Sequence, residues 1–144
     1  MQNKKGFTLI EIIIVIAILA AILSFGMIVN LNVFTGDIFL AEQSKIVGIL
    51  ERARSHAMAN MFESAYGVCF NFPNYIIFRF RDRSTCLPIS DTDEIIPTEK
   101  NITITFPTVV FKQLTGDTTG ATINITDGIK SANIIINNEG AIDW

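Results

Sequence analysis

From Ile12 to Gly36 the chain carries no charged residue, and between Phe7 and Gly36 the single charge is Glu11. No other feature constrains the fold as strongly. A run of this kind cannot be the solvated face of an ordinary globule, and it excludes a disordered or collagen-like chain. The 23 residues from Phe7 to Val29 meet the requirement of about 20 residues for a helix to cross a hydrocarbon core of ~30 Å. Lys4 and Lys5 precede the run, and the next positive charge is Lys45. That asymmetry predicts a single pass, with the amino terminus cytoplasmic and the remainder on the far side of the membrane.

Three readings of this segment compete. A cleaved secretory signal has similar basic and apolar regions, and Ser24 and Gly26 offer small residues for a cut. A plain signal anchor is the second. Neither explains Glu11, since a carboxylate in an apolar segment costs roughly 2.5–3.5 kcal/mol on insertion scales. The third reading gives Glu11 a function; the bland alternative is a side chain that snorkels to the interface.

Beyond the run, 37–61 contains no proline, and Ile46, Ile49, Leu50, Ala53 and Ala57 recur at spacings of three and four. This predicts an amphipathic continuation of the helix, ending near Asn60. Gly26 and Gly36 are the expected points of interruption. From Glu63 the period changes to two. Tyr66, Val68, Phe70 and Phe72 alternate with smaller or polar residues, and Pro73-Asn74 is a turn. Tyr75–Arg81 is a second strand, 84–99 a polar loop, and 102–106, 109–114, 121–126 and 132–137 are further strands. The fold class is α+β: a long amino-terminal helix packed on a small antiparallel β domain, 62–144. About 80 residues make a small core, so the helix is needed as its lid.

Gly6-Phe7-Thr8-Leu9-Ile10-Glu11 at the head of an apolar helix resembles the class III leader of type IV pilins and type II secretion pseudopilins. Downstream, Leu50–Ala57, Gly67-Val68-Cys69-Phe70, Phe111–Gly116 and Ile134–Gly140 are similar to the minor pseudopilin H and FimT-like branch. The resemblance implies a leader, 1–6, cut between Gly6 and Phe7 by a prepilin peptidase. It also implies N-methylation of Phe7 and a filament-assembly role for Glu11. The implied partners are other pilins or pseudopilins and an inner-membrane assembly platform. Chemistry agrees with these assignments. Gly6 presents an unencumbered backbone to a peptidase. Phe7 and Glu11, four apart, share a helix face. A new ammonium on Phe7 could be neutralised by a neighbouring subunit's Glu11, because a buried carboxylate is far less costly when paired. The expected location is the inner membrane, then a filament.

The rest of the chain offers little chemistry. Two cysteines and one histidine cannot by themselves make a four-ligand zinc site. Cys69 and Cys86 lie where oxidation is allowed, so a disulfide is expected, with two buried thiols as the alternative. Arg79, Arg81 and Arg83 alternate, forming either a weak anion or partner face or a solvated strand edge that discourages aggregation. Asp91, Asp93 and Glu94 supply oxygens without the EF-hand spacing or its glycine, so no metal is expected. His56 stands alone and reads as packing or surface. No constellation supports an enzyme, and no cofactor is called for. A net charge of −3 makes nucleic acid an unfavoured partner. Two functional classes remain: a structural filament subunit, most like a minor pseudopilin of type II secretion, or a minor type IV pilus subunit that binds DNA or another ligand at the filament tip.

Overall fold

The computed structural model describes residues 8–26, 31–80, 85–99 and 101–144, with side chains described for 8–23 and, within those ranges, from 38 onward. The chain divides into two units, one ending at Thr35 and the other beginning at Gly36.

In the first unit, α1 spans Leu9–Gly26. Its sequence opens with the capping-box signature Thr8-x-x-Glu11, of which the glutamate half is formed. The Glu11 carboxylate accepts from the Thr8 amide at 3.4 Å, and the Thr8 carbonyl accepts from the amides of Glu11 and Ile12 at 3.1 and 3.3 Å. Every described side chain of α1 is exposed. Even its least open large residues, Ile12 and Ile14, are 51% accessible. The 18 residues of α1 rise about 27 Å at 1.5 Å each. Among the described residues no helix is long and apolar enough to cross a membrane, so the single pass expected over 7–36 is taken up below as a proposal.

The second helix, α2, spans Leu31–Met58. Gly36 lies inside it and does not break it, contrary to the expected interruption; one glycine costs only about 1 kcal/mol, which the flanking turns absorb. The stripe Ile46, Ile49, Leu50, Ala53 and Ala57 is buried as expected, together with Phe39 and Val47. The helix stops because Asn60 takes a left-handed conformation (φ 53°), and the Ala57 carbonyl accepts from the Asn60 amide at 3.1 Å and from the Leu114 amide at 2.9 Å. A short 3₁₀ turn, Met61–Glu63, follows.

Eight strands are described: β1 Tyr66–Asn71, β2 Asn74–Arg79, β3 Glu94–Pro97, β4 Thr103–Thr105, β5 Val109–Phe111, β6 Ala121–Thr126, β7 Ser131–Ile136 and β8 Ile142–Asp143. They form two antiparallel four-stranded sheets, ordered β3-β2-β1-β5 and β4-β6-β7-β8. One core joins α2 to both sheets through Leu50, Val68, Tyr75, Phe111, Ile123 and Ile134, among others. This is an α+β fold. Two strands were not expected: β3 lies in the stretch read as a polar loop, and β8 is two residues long.

The first sheet is covered on both faces. Val68, Tyr75 and Ile77 face the main core, whereas Cys69, Ile76 and Phe78 form a second cluster with Phe80 and Cys86. A disulfide joins Cys69 to Cys86, with Cα atoms 5.9 Å apart. It holds the chain around Cys86 against the outer cluster. Gly67, paired across the ladder with Phe78, leaves room for that ring; a Cβ there would run into it. Gly140 has a comparable role at a turn: its φ is 74°, and a Cβ would collide with the Gly116 carbonyl.

Candidate functional site

Gly6, Phe7, Arg81 and Arg83 lie outside the described residues. Glu11 is described, and its nearest partner is its own chain's Thr8 amide. The capping box was missed in the sequence, although Thr8-x-x-Glu11 is its signature. Its consequence is positional. The carboxylate is folded back toward the start of the helix, where a cut after Gly6 would create a new amino terminus. Capping the first turn and neutralising an ammonium call for the same orientation of the same group.

The α1 surface completes this site. Apolar side chains on all sides of an exposed helix need lipid or other apolar helices around them. Burying one leucine, isoleucine or valine is worth about 1.5–3 kcal/mol, so eleven such residues from Leu9 to Leu23 far outweigh one carboxylate. What α1 can do chemically is associate; it bears no group suited to bond breaking.

The second unit contains two polar sites, one that the sequence reading missed and one around a residue it singled out. Glu42 is fully buried on α2. It accepts hydrogen bonds from the Tyr75 hydroxyl at 2.8 Å and the Thr98 hydroxyl at 2.7 Å. Its other oxygen pairs with Lys45 at 2.6 Å, and Lys45 also donates to the Pro97 carbonyl at 3.4 Å. Burial pushes the Glu42 carboxyl up, but the bonds from Lys45, Thr98 and Tyr75 outweigh it and hold the group below the usual glutamate range. Tyr75 is pushed well above the ordinary phenol range, first by burial; the hydrogen bond with Thr98 opposes this, and Glu42 adds to the rise. A signal was present in the sequence: Glu42 lies four residues before Ile46, on the same stripe as the core positions.

The other site surrounds Arg79. Strand β2 lies between β3 and β1 in its sheet, but β3 pairs only with Asn74–Ile77, so Arg79 lies where the β3 side of β2 is unpaired among the described residues. Arg79 points to the same side as Tyr75 and Ile77, beyond the end of β3. There its guanidinium lies 4.9 Å from the centre of the Phe62 ring. Tyr66 is its direct partner across the β1–β2 ladder. His56 meets the Tyr66 ring edge-on at 5.2 Å, so it packs, as expected. Burial raises the Tyr66 phenol, and the charge of Arg79 partly opposes this. Of the acidic trio, Asp93 accepts from the Ser90 amide at 2.8 Å and Glu94 pairs with Arg52 at 2.6 Å. Among the described residues no three histidine, cysteine, aspartate or glutamate side chains are gathered to hold a metal.

The amino-terminal helix is apolar apart from Glu11 and Ser24 and exposed at every described side chain, and a separate unit carries a helix on antiparallel sheets. In comparison with protein families, residues 1–27 match the model described as the prokaryotic N-terminal methylation motif. The chain therefore carries a prepilin-type leader, which supports the type IV pilin and pseudopilin class and implies processing by a prepilin peptidase and assembly with other pilins. No curated protein and no solved structure matches the chain.

Proposed function

We propose that this chain is a structural subunit of a prepilin-type filament, specifically a minor pseudopilin of a type II protein secretion system. The observation that carries the filament reading is the methylation motif over residues 1–27, placed at the head of a helix whose described side chains are all exposed and mostly apolar. In this reading the precursor rests in the inner membrane through the 7–36 segment, with 62–144 on the far side. Cleavage frees the Phe7 ammonium, and the helix then exchanges lipid for neighbouring subunits' helices. Glu11 caps its own helix and offers the carboxylate that fixes the axial stagger between subunits.

The finer assignment to secretion rests on the sequence resemblance of 50–57, 67–70, 111–116 and 134–140 to the minor pseudopilin H and FimT-like branch. The alternative is a minor pilus subunit that binds DNA or another ligand at the tip. Deleting the coding sequence separates the two. The secretion reading expects loss of exported protein with surface pili intact; loss of pili with normal export would favour the alternative. Salt-sensitive retention of DNA by the protein would also favour the pilus reading.

A further inference from the structure

A cleft of about 350 Å³ opens between the end of α2, the Met61–Glu63 turn and strand β2. One wall is apolar, made by Met61 and Phe62, which are 38% and 66% exposed. The other bears Tyr66 and Arg79, with His56 and Glu94 at its margins. As direct cross-strand partners, Tyr66 and Arg79 stand side by side on one face, with Cβ atoms about 4.5–5.5 Å apart.

Two polar groups here have no hydrogen-bond or ion-pair partner among the described residues. Tyr66 is largely buried, 6% exposed, and lines the cleft. Arg79 meets no carboxylate among the described residues; its described contact is the face of Phe62. Glu94 does not satisfy it, being paired with Arg52. A phenol donor beside a guanidinium, with an apolar shelf next to both, matches a carboxylate attached to an apolar body.

We propose that this cleft docks an acidic–aromatic segment of a partner protein, its carboxylate held by Arg79 and the Tyr66 hydroxyl and its ring laid against Met61 and Phe62. Charge complementarity selects this occupant. A single guanidinium that meets no carboxylate among the described residues, with Glu94 already paired to Arg52, suits one carboxylate and not a run of phosphates. The cleft lies wholly in the second unit, so an uncut chain carries it too, and its failure would leave the filament reading untouched.

The test uses the full chain in non-ionic detergent with ring-labelled histidine and tyrosine. The chain has one histidine and two tyrosines, so His56 and Tyr66 report on the cleft, while Tyr75, buried in the core, serves as the internal control. The probes are the blocked dipeptide aspartyl-phenylalanine and its asparaginyl counterpart. The expected result is saturable movement of the His56 and Tyr66 signals by the acidic probe, at about 0.1–1 mM, with Tyr75 still. The asparaginyl probe, and the acidic probe on Arg79→Gln, should bind about tenfold more weakly. Equal binding of the two probes, or no movement, would overturn the proposal. So would tighter binding of inorganic phosphate or a single-stranded oligonucleotide at the same signals. Because the probe pair is compared on the unaltered chain, the result stands even if Arg79→Gln does not fold.

Discussion

Replacing Glu42 with alanine should be among the most damaging single changes in the second unit. The substitution leaves the buried Tyr75 and Thr98 hydroxyls without their acceptor and strands Lys45, whose side chain is 32% exposed. Breaking a buried pair by removing one member costs about 3–5 kcal/mol. Thr98 and Tyr75 are 3.4 Å apart and can partly satisfy each other, which places the expected loss near the lower bound, about 3 kcal/mol. For a domain of this size that lowers the melting temperature by roughly 12–24 °C. Glu42→Gln keeps an acceptor and loses only the ion pair, so its cost should be about 1.5–3 kcal/mol. The pH dependence gives a sharper test. Because the folded-state carboxyl lies below the usual range, its stabilisation is fully present above the unfolded value of about 4.3 and is lost as pH falls through the lower, folded value. Urea unfolding of the 36–144 unit at pH 7 and in steps below pH ~4.3 checks this. The stability gap between native protein and Glu42→Gln should narrow as the pH drops through that window. A gap that stays constant would refute the assignment of a charged, hydrogen-bonded Glu42.

Gly67→Ala should cost about 1–3 kcal/mol by forcing the buried Phe78 ring aside, and Phe78→Leu in the same chain should recover part of that loss if the collision is the cause. Alkylation without reductant should modify neither Cys69 nor Cys86, and replacing both with serine should lower stability by about 3 kcal/mol in the chain-entropy model; two alkylated thiols on the unreduced chain would argue against the bond in solution. Glu11→Ala should leave cleavage after Gly6 and membrane insertion intact while nearly abolishing incorporation into filaments, since an unpaired buried charge costs about 3–5 kcal/mol per contact. Normal amounts of that variant in sheared filaments would reduce Glu11 to a helix cap, worth about 0.5–2 kcal/mol.

The features legible in the sequence were those written in local pattern. The apolar run, the stripe from Ile46 to Ala57 and the period-two alternation of Tyr66–Phe70 each depend on residues close together, and each is found in the structure as an element or a buried face. What escaped depends on distant partners. Glu94–Pro97 has four residues and polar flanks, too few to show a period; it is a strand because β2 offers a free edge. Ile76 and Phe78 share an apolar strand face, and what covers that face, a cluster with Cys69, Phe80 and the disulfide-linked Cys86, is decided by packing and not by alternation. Alternation places Arg79 on the same side of its strand as Tyr75 and Ile77. That Tyr75 and Ile77 on this side face the main core is decided by where α2 packs. Glu42 shows the opposite failure: a carboxylate on an apolar stripe was visible in the sequence and was passed over as an ordinary helix charge.

The most direct test of the filament account is the amino terminus of the chain as cells make it. Protein recovered from membranes of cells with an active prepilin peptidase should be analysed by intact mass and amino-terminal sequencing, alongside protein from cells lacking the enzyme. The account predicts a chain that begins at Phe7 and carries one added methyl group there, and an uncut chain retaining Met1–Gly6 when the peptidase is absent. A chain that keeps Met1–Gly6 in the presence of the peptidase, or one cut near Ser24–Gly26 as a secretory signal would be, would contradict it.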